Sequence, residues 1–186
     1  LRVEVTTRGT RAHSARSWMG VNAIHGAHAI LERLATYSPE TVHVDGLDYR
    51  EGMNAVAIRG GIAGNVIPDE CTVEVNYRFA PSKSEAEALG VVQRLFSEFD
   101  LAVTDISGGA RPGADSPLAQ SFIDAVGGRI APKFGWTDVA RFSELGIPAV
   151  NFGPGDPALA HADDERVPVQ HIVDCVESLR SWLGGR

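Results

Sequence analysis

From Val73 to Phe79 the chain alternates with a period of two. Val73, Val75, Tyr77 and Phe79 fall on one side, and Glu74, Asn76 and Arg78 on the other. Successive side chains of an extended strand point to opposite faces, so this pattern describes a strand covered on one face only. Such a strand needs paired neighbours of the same polarity and helices against its apolar side. The neighbours are legible. Leu1, Val3 and Val5 alternate with Arg2, Glu4 and Thr6, residues 53–58 read as a further strand ended by Gly60-Gly61, and residues 101–106 read as a fourth. Between the first two strands a helix carries Val21, Ile24, Ala27, Leu31 and Leu34 on one face, and Pro39 closes that region. Ser84 and Glu87 form a capping box, in which hydroxyl and carboxylate each satisfy a free backbone N–H. The helix behind them bears Leu89, Val92, Phe96 and Phe99.

The order strand, helix, strand, strand, helix, strand predicts an α+β domain of ferredoxin-like βαββαβ type, with one antiparallel sheet and two helices on one face. It is complete by residue 108, and the Gly- and Pro-bearing residues 107–113 form a linker, which gives domains at 1–110 and 111–186. The second part reads differently. Ser116 caps a helix with Pro117 in its first turn and Leu118, Phe122, Ile123 and Val126 on its face, ended by Gly127-Gly128. Thr137 or Asp138 caps a short helix closed by Gly146 and Pro148, and residues 149–152 read as a strand. The last helix carries Val169, Ile172, Val173, Val176, Leu179, Trp182 and Leu183. Amphipathic helices with so little strand to cover predict the tail of a larger domain. The chain starts at Leu1 with the strand pattern already running and no signal peptide before it, as if cut from something longer.

The net charge of −7 and the absence of a basic run speak against nucleic acid as a partner. No apolar stretch approaches the roughly 20 residues that span a bilayer. Cys71 and Cys175 share no motif and read as reduced thiols of a cytoplasmic protein.

His161 follows a turn built from Gly153-Pro154-Gly155-Asp156-Pro157, and Asp163, Asp164 and Glu165 follow it. That delivers one imidazole to a fixed point, as a zinc ligand or as a loop histidine beside a solvated acidic run. The carboxylates would orient the ring or simply face water. His13, between Arg11 and Arg16, is a donor for a developing oxyanion or a solvent-facing loop residue. His25 and His28 have chelating spacing but no third ligand in register, and His43 and His171 carry no signal. Asn65 reads as a turn residue; Arg78 reads as a carboxylate clamp or a cross-strand partner of Glu74. Thr137 reads as a helix cap or an anion contact at a helix N-terminus. The Gly-Gly pairs lack phosphate-cradling spacing, and no Gly-x-Ser-x-Gly is present.

Taken in order, Arg11-Ala12-His13-Ser14-Ala15-Arg16, Gly20-Val21-Asn22-Ala23-Ile24-His25, Gly64-Asn65-Val66-Ile67-Pro68-Asp69, Asn76-Tyr77-Arg78-Phe79, Gly135-Trp136-Thr137-Asp138, and Gly153-Pro154-Gly155 with His161 and Asp164-Glu165 resemble the M20 family of dinuclear zinc amidohydrolases. Within the family the likeness is to the branch that desuccinylates N-succinyl-L,L-diaminopimelate. The resemblance implies a catalytic domain with a ferredoxin-like lid that also makes a homodimer, two zinc ions (or cobalt) per active site, and a small N-acyl amino acid as substrate. It implies that His161 binds metal and that His13 reaches the oxyanion of the partner's site, with Asn65 beside it. It implies that Arg78 and Thr137 hold substrate carboxylates. The family's other zinc ligands and its Glu-Glu general base precede the lid and are not in this sequence, so the expectation is an inactive fragment. Acetylornithine deacetylase, aminoacylase and metallocarboxypeptidase activities are rivals within the family. A non-catalytic dimerisation module is the rival outside it.

Overall fold

The computed structural model describes residues 1–127 and 129–184. The chain divides into two compact units, residues 1–44 with 48–109, and residues 45–47 with those from Ala110 onward.

The first unit contains, in order, β1 (Arg2–Arg8), β2 (Ala12–His13), a 3-10 helix (Ser14–Met19), α1 (Ala23–Gly26), α2 (His28–Ala35), β3 (Thr41–Val44), β4 (Leu47–Arg50), β5 (Gly52–Gly60), β6 (Val66–Ile67), β7 (Glu70–Arg78), α3 (Glu85–Leu95) and β8 (Asp100–Asp105). Its main sheet has the order β5-β7-β1-β8 with every adjacent pair antiparallel. With the short strands set aside, that is the ferredoxin-like order expected from the sequence.

The alternation in β7 sets the core. Val73 and Val75 lie directly across from Val5 and Val3 of β1, and all four are buried. Ala23, Ala27 and Ile30 from the first helical layer, Ala88 and Val92 from α3 and Phe96 at its C-terminal end cover the same face. The capping box forms as read: Ser84 Oγ accepts from the Glu87 amide, and Glu87 accepts from the Ser84 amide.

Two expectations need correction here. The first helix is two helices meeting at Ala27, and the buried line runs through Ala23, Ala27 and Ile30. Val21, Ile24 and Leu31 are 59%, 42% and 39% exposed. Small residues let the backbone sit close to the sheet, where Thr7 Oγ1 donates to the Ala23 carbonyl at 2.7 Å, so the larger side chains splay to the flank. The β3–β4 hairpin was not foreseen. Its turn is Asp45-Gly46, both at positive φ (48° and 84°), the geometry that two-residue hairpin turns require.

The second unit holds α4 (Pro117–Val126), α5 (Val139–Glu144), a 3-10 helix (Pro157–Leu159) and α6 (Val169–Gly184). Ser116 caps α4 through the Ala119 amide, and Gly127 ends it in the left-handed region; Gly128 lies outside the described residues. Phe122 meets Phe152 and Trp182 edge-on, with centroids 5.2 and 5.1 Å away. Residues 149–152 form no strand, because no described residue pairs with them in a ladder. Most of the apolar line on α6 is exposed, with Val169 at 75% and Leu183 at 65%.

Candidate functional site

The segment carrying His13 is held at several points. Gly9 has no room for a side chain, since a Cβ there would sit 2.0 Å from the Val21 carbonyl oxygen. Thr10 and Val21 exchange backbone hydrogen bonds at 2.8 and 3.0 Å and close the loop at its base. Within it, β2 pairs with β6, placing Ala12 across from Ile67 and His13 across from Val66. The Ser14 amide donates to the Asn65 carbonyl at 2.9 Å. Arg11 donates to Asp69 at 2.9 Å, and that hydrogen bond holds the Asp69 carboxyl below its usual range. His13 and Asn65, distant in sequence, therefore stand side by side on an exposed surface.

The His13 ring is oriented from within the loop. Its Nδ1 accepts the Ala15 amide at 3.0 Å. A neutral imidazole whose Nδ1 is an acceptor carries its proton on Nε2, leaving one N–H free to donate outward. That is the form an oxyanion needs.

Arg78 lies elsewhere. It closes β7, whereas His13 and Asn65 sit beyond that strand's start, so roughly 25 Å of extended chain separates them. Its guanidinium is exposed and has no ion pair with Glu74, which faces Arg59 at 3.5 Å instead. Arg78 pairs in register with Gly52 of β5, and a residue without a side chain leaves the guanidinium uncrowded there.

Thr137 and His161 belong to the second unit. Neither Thr137 nor Asp138 caps α5 by a side-chain hydrogen bond, against expectation. The Thr137 hydroxyl instead accepts from Asn151 Nδ2 at 2.9 Å, which draws it towards the segment leading to the glycine-proline turn. His161 sits in the left-handed region with φ 67°, a backbone state that costs a non-glycine residue energy and recurs at functional positions. Two of its three carboxylate neighbours are bonded elsewhere than to the ring. Glu165 accepts the His161 backbone N–H at 3.0 Å, and Asp164 pairs with Arg166 at 2.5 Å.

Among the described residues no group of three or more His, Cys, Asp and Glu is arranged to hold a metal ion. The described residues do not make up a dinuclear zinc centre; His161 is one candidate ligand. His25 and His28 fall on different helices, and His28 lies 3.9 Å from Glu32. His43 contacts Asp48 at 2.8 Å. Cys71 and Cys175 are free thiols, and no helix among the described residues is long and apolar enough to cross a membrane.

Sequence reasoning missed Glu51. Its side chain is buried and accepts from Tyr77 Oη at 2.7 Å, the Ala80 amide at 2.8 Å and Lys83 Nζ at 2.7 Å. Burial pushes its pKa up, but these three donors outweigh burial and leave it below the usual range. The same burial and the Glu51 charge push the Tyr77 hydroxyl far up. Glu51 stands just before the strand read at residues 53–58, and no local pattern in the sequence marked it.

The family of this chain now follows from the comparisons. The model described as "Peptidase dimerisation domain" of the M20 peptidases matches residues 1–104, and the chain belongs to that family. It is 55% identical over its full length to a provisionally named succinyl-diaminopimelate desuccinylase, DapE, of Mycobacterium tuberculosis, covering 53% of that protein. It is 48% identical over 98% of its length to the succinyl-diaminopimelate desuccinylase of Corynebacterium glutamicum, covering 51% of it. The chain thus spans about half the length of the curated relatives it matches. Among solved structures, the M20 family metallo-carboxypeptidase Sso-CP2 of Sulfolobus solfataricus superposes with a TM-score of 0.70 at 14% identity, over 98% of this chain and 57% of that one, a likeness of fold.

Proposed function

We propose that this chain is the dimerisation domain and an adjoining part of the catalytic domain of a zinc-dependent amidohydrolase. The whole enzyme would cleave N-succinyl-L,L-diaminopimelate to succinate and L,L-diaminopimelate in the cytoplasm. The observation that carries this reading is that the β2–β6 pairing, His13 across from Val66, and the Ser14 amide on the Asn65 carbonyl set His13 beside Asn65, with the imidazole oriented to offer Nε2–H. A hydrogen bond from that N–H strengthens as negative charge develops on the amide oxygen, so it stabilises the transition state more than the substrate. The names of the two desuccinylases, at 55% and 48% identity, support the substrate.

Arg78 suits a carboxylate of the substrate by its exposed guanidinium, and Thr137 offers a hydroxyl. The distance between Arg78 and His13 supports a reading in which one protomer does not use both on the same substrate molecule. It is consistent with His13 and Asn65 serving the partner's site while Arg78 serves its own. His161 is one zinc ligand in this reading, with cobalt an alternative metal. The 186 residues alone, short of a metal centre, are inactive.

The partner in this reading is a second copy, docked along β5. This edge strand has nine residues and carries Val56 and Ile58, 54% and 50% exposed. Ile24 reaches over its end, since a Cβ at Gly60 would lie 2.9 Å from Ile24 Cγ1. The opposite edge, β8, is shorter and bounded by Asp100 and Asp105. Exposed edges are ordinarily blunted by charge, so a long apolar edge is the better candidate for pairing.

The test is kinetic. The natural full-length protein with zinc should turn over N-succinyl-L,L-diaminopimelate far faster than N-acetylornithine or N-acetyl amino acids, and the 186-residue chain should turn over none. Preference for an acetyl substrate would reassign the enzyme within the family. Turnover by the isolated chain would remove the shared-site reading.

A further inference from the structure

We infer that Glu51 is a positioning residue for Arg78, setting where that guanidinium stands at the end of β7. This rests on the reading of Arg78 as a substrate contact. The geometry is specific. Arg78 lies between Tyr77 and Ala80, and polar groups of both terminate on the same buried carboxylate: Tyr77 Oη on Oε2 at 2.7 Å and the Ala80 amide on Oε1 at 2.8 Å. Glu51 thus grips the chain on each side of Arg78 while Arg78 itself remains exposed. The grip is anchored at its other end. The Glu51 amide donates to the Glu40 carbonyl at 2.8 Å, next to β3, and Gly52, its neighbour in sequence, lies directly across from Arg78 in the ladder. Lys83 completes the cluster, 2.7 Å from Glu51 and 3.6 Å from Glu40, and ties it to the segment entering α3.

A carboxylate with three donors is a firm anchor, because each bond is charge-assisted and water is excluded from it. Packing alone would not need a charge at this position; burying one is costly unless it is fully paired. The pairing here converges on two residues that flank an exposed arginine. A clamp of bidentate geometry tolerates little displacement, so a loosened strand end costs substrate affinity more than turnover.

The experiment uses the natural full-length protein with zinc and compares wild type, Glu51→Gln, Tyr77→Phe, Arg78→Ala and the double variant Glu51→Gln/Arg78→Ala. Tyr77→Phe removes one bond of the grip and keeps the core volume, so it reports even if Glu51→Gln folds poorly. The expected result is a KM raised about five- to tenfold in both Glu51→Gln and Tyr77→Phe with kcat within about twofold, and no further rise from either change once Arg78 is alanine. Equal effects of Glu51→Gln with and without Arg78, or a fall in kcat at unchanged KM, would assign Glu51 to general stability and overturn the inference. If Arg78→Ala itself leaves KM unchanged, the reading of Arg78 as a substrate contact fails, and the inference falls with it by a distinguishable result.

Discussion

The Ala15 amide donates to Nδ1 of His13 across a gap of 3.0 Å, within a 3-10 turn that begins at the next residue, Ser14. One backbone hydrogen bond thereby sets both the direction of the imidazole and the nitrogen that keeps its proton. In the neutral ring, long-range nitrogen–proton NMR on the chain should therefore show the Nε2–H tautomer. In the full-length enzyme, His13→Ala should lower kcat by about 100-fold, the range for losing one oxyanion donor, with a much smaller change in KM. An unchanged kcat would remove His13 from the chemistry.

Asn65 shares the His13 strand pair through its backbone carbonyl, so its side chain can be changed without dismantling the ladder. Asn65→Ala should leave the melting temperature of the chain within about 2 °C, since exposed substitutions stay within about 0.5 kcal/mol. Its effect should be confined to catalysis by the dimer. Loss of folding by calorimetry would contradict that.

The edge of β5 gives a prediction about assembly. Ile58→Asp combined with Val56→Glu places charge on a strand edge that is otherwise nearly apolar. Sedimentation velocity should show the dimer replaced by monomer while the far-ultraviolet circular dichroism is retained. A dimer that survives both changes would move the interface elsewhere.

Glu51 predicts a pH dependence. Its folded pKa lies below the ordinary glutamate value of 4.5, so the folded state holds fewer protons there than the unfolded chain. Its contribution is fully present above pH 4.5 and is lost as the pH falls below that value through the depressed folded pKa. Urea unfolding of the chain between pH 3 and 6 should show stability falling towards acid, with a shallower fall in Glu51→Gln. Glu51→Ala, which strands the Tyr77 hydroxyl, the Ala80 amide and the Lys83 ammonium, should cost about 3 kcal/mol near neutral pH.

For His161, titration calorimetry of zinc into the 186-residue chain should give only weak binding, because one imidazole without converging partners makes a poor site. In the full-length enzyme, His161→Ala should reduce the bound zinc below two per protomer. Asparagine, which also tolerates positive φ, separates a loss of ligand from a change of backbone.

The sheet was readable from residues alone because burial on one face imposes a period of two that survives in the order of amino acids. Val73, Val75 and Tyr77, the capping box at Ser84 and Glu87, and the placement of four strands and two helical layers all follow from such local periodicity. The family motifs put forward His13, Asn65, Arg78, Thr137 and His161 as candidates. The hairpin at Asp45-Gly46 had a local signal that went unread. Other features had no local signal. Which side of the first helix is buried depended on how closely alanine and glycine let it approach Thr7. Residues 149–152 have strand-like composition, but a strand exists only with a hydrogen-bonded neighbour. Only the folded chain brings His13 against Asn65 and gathers three donors around Glu51, because these contacts join segments whose separation along the chain carries no information about their distance in space.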